Sequence, residues 1–161
     1  MRRLGLKDLL ASPANFLALG AGSGLAPKAP GTAGTVAAIP VWLLMPSNLT
    51  AYLLVTVALF VVGVWLCSEC AKNLDVHDHP GIVWDEIVGY LVTMIAVPKD
   101  VTLIVAGFVL FRLFDILKPW PIGWIDQRVK GGMGIMLDDI IAGLFAAAAL
   151  QVAMSMGVGP Q

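Results

Sequence analysis

Six carboxylates stand at the ends of long apolar stretches, and their placement limits what this chain can fold into more than any other feature. They are Asp85, Glu86, Asp115, Asp126, Asp138 and Asp139. Only 13% of the 161 residues are charged, against about 25% in an ordinary soluble domain. Ionisable residues inside a membrane are costly and indicate function by default. The acids therefore predict a functional site in a membrane-embedded fold.

The composition favours an integral membrane protein. The chain is 58% hydrophobic with a mean hydropathy of +0.86, and residues 29–68 and 140–161 carry no charge. We predict an all-α membrane protein with one domain over residues 1–161. The net charge of −1 leaves no basic stripe, which excludes nucleic acid as a partner.

Five apolar segments form the predicted helix bundle. They are Thr32–Met45, Leu49–Cys67, Ile82–Val97, Val101–Lys118 and Leu137–Met156. Leu49–Cys67 has nineteen uncharged residues, enough to cross a hydrocarbon core about 30 Å thick. Thr32–Met45 contains Pro40, so it is either a short, kinked span or a re-entrant helix.

The residues before these segments predict an amphipathic segment that lies on the membrane surface. Its apolar residues are Leu4, Leu6, Leu9, Leu10 and Phe16, which we expect to face lipid.

The distribution of basic residues favours a cytoplasmic N-terminus. If Thr32–Met45 crosses, eight of the ten Lys and Arg residues lie on one side, as the positive-inside rule expects. The five-span arrangement also places the acids of the last three segments at one cytoplasmic depth. A single polar site at that face follows.

The two acidic pairs predict a cation site. Each pair is followed four residues later by a glycine, Gly89 or Gly143, which lets helix backbones approach closely. Carboxylates so near one another need positive charge among them, and oxygen ligands suit Mg²⁺, which also binds substrate phosphate. The predicted Mg²⁺ ligands are Asp85, Glu86, Asp138 and Asp139.

Basic residues and glycine-rich segments beside the acids predict a phosphate site. Residues 19–35 and 130–135 are rich in glycine, and backbone N–H groups in such segments bind anions. Neither segment matches a Walker A or G-x-G-x-x-G motif. The predicted phosphate-binding residues are Lys28, Thr32, Arg112 and Arg128.

Simpler interpretations remain open for several of these residues. Acids at a helix start can merely complement the helix dipole, and Arg112 can form a plain ion pair with Asp115. We expect Asp126 to be a solvated loop residue outside the site. Two cysteines and two histidines allow a zinc hypothesis, which their spacing disfavours; they are Cys67, Cys70, His77 and His79.

Four blocks of the sequence together resemble bacterial phosphatidylglycerophosphatase A, a family of Mg²⁺-dependent lipid phosphatases of the inner membrane. The blocks are GAGSGLAPKAPGTAGT (20–35), HDHPGIVWDEIVG (77–89), FRLFDILKPWP (111–121) and KGGMGIMLDDIIAG (130–143). The resemblance implies hydrolysis of the phosphomonoester of phosphatidylglycerol phosphate at the cytoplasmic face. It also implies that the acids in WDE, FDILKP and DD are essential.

The expected mechanism uses Mg²⁺ to polarise the phosphoryl group, while Asp115 either orients a water molecule or attacks directly. The predicted catalytic residues are Asp85, Asp115, Lys118 and Asp139. The expected partner is a phospholipid held within the bilayer, and homo-oligomerisation is left open. The rival interpretation is a cation transporter or channel lined by carboxylates.

Overall fold

The computed structural model describes residues 3–76 and 78–159, and within these ranges the chain is helical and has no strand. A 3₁₀ turn at Gly20–Leu25 precedes the longer helices. The α-helices are α1 (Leu6–Leu9), α2 (Pro13–Ala18), α3 (Pro30–Leu43), α4 (Leu49–Asn73), α5 (Trp84–Thr93), α6 (Val101–Leu117), α7 (Ile122–Arg128) and α8 (Gly131–Ser155). The prediction of an all-α fold is confirmed.

Helices α5 and α8 form the centre of the bundle. Helix α8 packs against α4, α5, α6 and α7, and α5 also contacts α3. Two tyrosines tie α5 to its neighbours: Tyr52 donates to the Leu91 carbonyl at 2.6 Å and Tyr90 donates to the Ile104 carbonyl at 3.2 Å. Both bonds hold the C-terminal half of α5 against its neighbours.

Two helices, α4 and α8, are long and apolar enough to cross a membrane. Helix α4 leaves large apolar side chains exposed, such as Leu54 at 67% and Val61 at 61%, as contact with lipid requires. Helix α5 has ten residues and is roughly 15 Å long, about half the hydrocarbon thickness. The predicted span Ile82–Val97 is therefore not confirmed as a crossing, and the count of five spans stays a prediction.

The N-terminal segment forms two short helices, α1 and α2. Leu6, Leu10 and Phe16 are exposed, as predicted. Leu9, in contrast, is 6% exposed and belongs to a hydrophobic cluster with Leu66 of α4. The expectation that Leu9 faces lipid is wrong, because Leu9 packs into the hydrophobic cluster where α2 contacts α4.

Candidate active site

Three carboxylates from α5 and α8 converge in the interior. Asp85 and Glu86 lie in the first turn of α5, and Asp139 is a buried residue of α8 with 3% exposure. One oxygen from each lies within 4.8 Å of the others, which makes the three a candidate metal-binding group. In residues 3–76 and 78–159, no other group of three or more Asp, Glu, His or Cys side chains meets this criterion.

Glycines at the crossing of α5 and α8 make this convergence possible. A Cβ added at Gly89 would lie 2.8 Å from the Asp139 carbonyl oxygen, and one at Gly143 would lie 3.1 Å from Cβ of Val92. Both distances are too short for an ordinary contact. The predicted close approach of the two backbones at Gly89 and Gly143 is confirmed.

The position of the α8 acids differs from the prediction. We expected residues 130–135 to precede the helix, but α8 begins at Gly131. Asp138 and Asp139 therefore lie two turns inside it, roughly 12 Å from its start, with 6% and 3% exposure. The helix dipole acts mainly within the first turn, so complementing it does not explain these acids.

Arg112 of α6 links two of the acids. Its guanidinium forms an ion pair with Asp115 one turn later and lies 3.8 Å from Glu86 Oε1 of α5. Gly31, in the first turn of α3, packs against the same pair, since a Cβ there would collide with Glu86 and lie 3.1 Å from Arg112 Nη1. The expected ion pair between Arg112 and Asp115 within α6 is thus present. The same guanidinium also reaches Glu86 on α5.

Lys118 lies between two further carboxylates. It follows the last residue of α6, and its Nζ lies 2.6 Å from Asp138 Oδ2 and 3.1 Å from Asp126 Oδ1. Asp126 is exposed, as expected for a solvated residue, but it lies in α7 rather than in a loop, and its carboxylate pairs with Lys118.

Four buried polar atoms around the acids have no hydrogen-bond partner among the residues that the structure describes. They are Asp85 Oδ1, Glu86 Oε2, Asp138 Oδ1 and Arg112 Nε. Buried polar atoms normally have partners, and an unpaired one costs free energy. Three oxygens and one guanidinium nitrogen fit a cation among the carboxylates and an anion beside Arg112. The donor set therefore fits Mg²⁺, which prefers oxygen ligands and substrate phosphate.

For the other predicted phosphate-binding residues, the described part of the chain shows no contact with the acids. Lys28 is exposed and Thr32 is half-buried in the first turn of α3. The guanidinium of Arg128 lies 4.8 Å from the centre of the Trp124 ring. Their predicted roles stay predictions.

The described residues of the zinc hypothesis do not form a group with the spacing of metal ligands. Cys67 and Cys70 are buried in the hydrophobic cluster around Leu66, and Cys67 Sγ contacts Met136 Sδ at 3.8 Å. The His79 imidazole accepts a hydrogen bond from the Gly81 amide at 3.0 Å. His77 lies outside the described residues.

Comparison with known proteins gives consistent matches over most of the chain. The family model described as phosphatidylglycerophosphatase A matches residues 16–154. A protein of that name from Escherichia coli (strain K12) is 50% identical over 145 residues, which are 88% of this chain and 83% of the relative. Another of that name, from Haemophilus influenzae, is 43% identical over 143 residues, 87% of this chain and 88% of the relative. No solved structure matches this chain significantly.

Proposed function

The chain belongs to the phosphatidylglycerophosphatase A family and is a phosphatase, and from this we propose that it hydrolyses phosphatidylglycerol phosphate to phosphatidylglycerol and phosphate with Mg²⁺. The observation that carries the proposal is the buried group of Asp85, Glu86 and Asp139, beside the arginine that contacts Glu86 and Asp115. Anionic ligands for a cation and a cationic ligand for a phosphate thus lie side by side.

Each residue has a distinct part in this proposal. Asp85, Glu86 and Asp139 hold Mg²⁺, and Asp138 contributes through the oxygen that Lys118 leaves free. When bound, Mg²⁺ supplies Lewis-acid charge to the phosphoryl group. Arg112 and Lys118 bind the phosphoryl oxygens of the substrate through charge-assisted hydrogen bonds, and the same contacts offset the negative charge of the transition state.

Asp115 has two proposed roles that an isotope experiment distinguishes. It either positions the attacking water as a base or attacks phosphorus to form an aspartyl-phosphate. In the second case water then attacks phosphorus, which releases phosphate and restores the Asp115 carboxylate. Acid quenching of a single turnover of substrate carrying ³²P in its terminal phosphate should leave label on the protein for attack by Asp115 and no label on the protein for direct attack by water.

The proposed location is the inner membrane, with several crossings and the acids at the cytoplasmic face. The substrate phosphate lies at headgroup level, so it can enter between helices while the acyl chains stay in the bilayer. The exposed apolar surface of α4 supports contact with lipid. The family match gives no support to the rival interpretation as a transporter or channel.

The test is phosphate release by the purified protein from phosphatidylglycerol phosphate, with and without Mg²⁺. We expect turnover only with Mg²⁺, and Asp139→Asn should lower it by about 100-fold or more, because losing even an outer-shell partner of a metal costs up to about 100-fold. Glu69→Gln is the matched control, since Glu69 pairs with Lys72 at 3.6 Å on α4. Full activity of Asp139→Asn would refute the site, and no release by the wild type would refute the function.

A further inference from the structure

We propose that Asp126 is a positioning residue that holds the Lys118 ammonium where it can donate to the substrate phosphate. The inference rests on the proposed function and adds a residue that the sequence placed outside the site. Asp126 acts through Lys118 and needs no contact with the substrate.

The geometry places Lys118 between an inner and an outer carboxylate. The inner partner, Asp138 of α8, has a side chain only 8% exposed, whereas Asp126 of α7 is 40% exposed. Lys118 itself is 31% exposed and adopts a left-handed backbone conformation with φ 42° just after α6. The ammonium therefore joins the ends of α6 and α7 to the buried acids of α8.

The hydrogen-bonding capacity of the ammonium shows why two partners matter. A lysine ammonium has three N–H donors and no acceptor. Asp138 Oδ2 accepts one of them at 2.6 Å, and Asp126 Oδ1 forms an ion pair with the ammonium at 3.1 Å. At least one donor is left for a phosphate oxygen, which has the charge and acceptor geometry that an ammonium binds.

Without Asp126, the Lys118 ammonium has a second position available, turned inward and away from the substrate. Asp138 Oδ1 is buried and has no hydrogen-bond partner within residues 3–76 and 78–159, so a released Lys118 can turn inward and bind both oxygens of Asp138. That movement would withdraw the donor from the substrate and occupy the oxygen that Asp138 offers to the cation. Asp126 opposes it by holding the ammonium from the outer side.

Stability alone does not account for the outer contact. Ion pairs as exposed as this one contribute little to stability, because solvent screens them and holding long side chains costs entropy. The Glu69–Lys72 pair on α4 has a similarly exposed acid, at 39%. Unlike Lys118, Lys72 has no described ion pair with a buried carboxylate. Comparison of the two pairs separates positioning from an ordinary surface ion pair.

The test compares Asp126→Asn, Asp126→Glu and the control Glu69→Gln in steady-state hydrolysis of phosphatidylglycerol phosphate. We expect Asp126→Asn to raise KM about tenfold with kcat changed less, since a charge-assisted hydrogen bond to phosphate is weakened. Asp126→Glu should restore most of the loss, and Glu69→Gln should match the wild type. Thermal unfolding of each variant checks that the fold is kept.

A double-variant cycle and a binding measurement complete the test. In a Lys118→Met background, Asp126→Asn should weaken binding of inorganic phosphate, measured by calorimetry with Mg²⁺, no further than Lys118→Met alone. Additive losses would overturn the inference, as would an Asp126→Asn variant that behaves like Glu69→Gln. A wild type that binds phosphate but hydrolyses no lipid phosphate would refute the proposed function alone, while one that does neither would overturn both.

Discussion

Arg112 shows at the scale of a residue how this site balances its charges. One guanidinium serves Asp115 on its own helix and Glu86 across the bundle, yet Asp139 and Asp85 are left without a described cation of their own. Burial of unpaired carboxylates is costly, and removing one partner of a buried ion pair is strongly destabilising. The cost is understandable if Mg²⁺ completes the group.

Arg112→Lys tests whether the shape of this cation matters as well as its charge. Lysine keeps the charge but loses the fork of N–H donors that binds two anions at once. We expect kcat/KM for phosphatidylglycerol phosphate to fall about tenfold or more at saturating Mg²⁺.

The control for this variant is Arg3→Lys, because Arg3 is exposed at the N-terminal end. Initial rates for both variants at several lipid mole fractions give KM and kcat separately. Equal kinetics in the two variants would show that Arg112 is a structural ion pair only.

At the scale of the elements, the crossing of α5 and α8 sets the site. Helix α5 has ten residues, and every residue from Ile87 to Thr93 is buried. It therefore acts as an internal helix that carries Asp85 and Glu86 into the bundle. Helix α8 brings Asp139 to them only because glycines remove the side chains between the two backbones.

Gly89→Ala should therefore destabilise the fold and disturb the site together. The added methyl would lie 2.7 Å from the Phe111 ring and 2.8 Å from the Asp139 carbonyl. Overpacking of this kind costs about 1–3 kcal/mol, and the shift of α8 should lower Mg²⁺-dependent activity.

Thermal or denaturant unfolding in detergent measures that loss, with Gly5→Ala as the comparison. A Cβ at Gly5 meets nothing within 4 Å, so that variant should stay close to the wild type. If Gly89→Ala were as stable and active as Gly5→Ala, the two helices would not be in the close contact described.

The sequence predicted the starts of some helices correctly and missed the start of another, and each outcome has a physical reason. The starts at Leu49 and Val101 were predicted correctly, because Asn48 and Asp100 are N-cap residues before apolar runs. The start of α8 was missed, since three glycines in residues 131–134 look like a loop although packing keeps them helical. Gly132 shows this, because a Cβ there would collide with the Val64 carbonyl of α4.

The sequence predicted which carboxylates form the candidate site better than it predicted which side chains they pair with. Carboxylates beside apolar runs are visible in the sequence because their cost is large. The link from Lys118 to Asp126 depends on how α7 turns back after α6, which no local pattern encodes. Asp138 pairs with Lys118, whereas Asp139 belongs to the three-acid group. This difference between two adjacent acids is also visible only in the folded structure.

At the scale of the whole molecule, the proposed orientation gives the two ends of the bundle different surroundings. Ser47 lies in the turn between α3 and α4 and is exposed, at the opposite end of α4 from Asn73. The five-span proposal places Ser47 on the outer face. It placed Gln161 there too, but that residue lies outside the described residues.

Labelling of Ser47→Cys in intact cells tests this orientation. The native Cys67 and Cys70 are both 0% exposed, so an impermeant maleimide should leave them unlabelled. We expect Ser47→Cys to react in intact cells and Gln127→Cys, an exposed position of α7, to react only after permeabilisation. The reverse pattern would invert the proposed topology, and labelling of both in intact cells would contradict the cytoplasmic site.

The most direct measurement for the central claim is binding of Mg²⁺ to the purified protein without substrate, followed by titration calorimetry. The account predicts saturable binding by the wild type, which Glu86→Gln and Asp139→Asn each weaken about tenfold or more while Glu69→Gln leaves it unchanged. Undiminished Mg²⁺ binding in both site variants would contradict the assignment of these carboxylates to the metal.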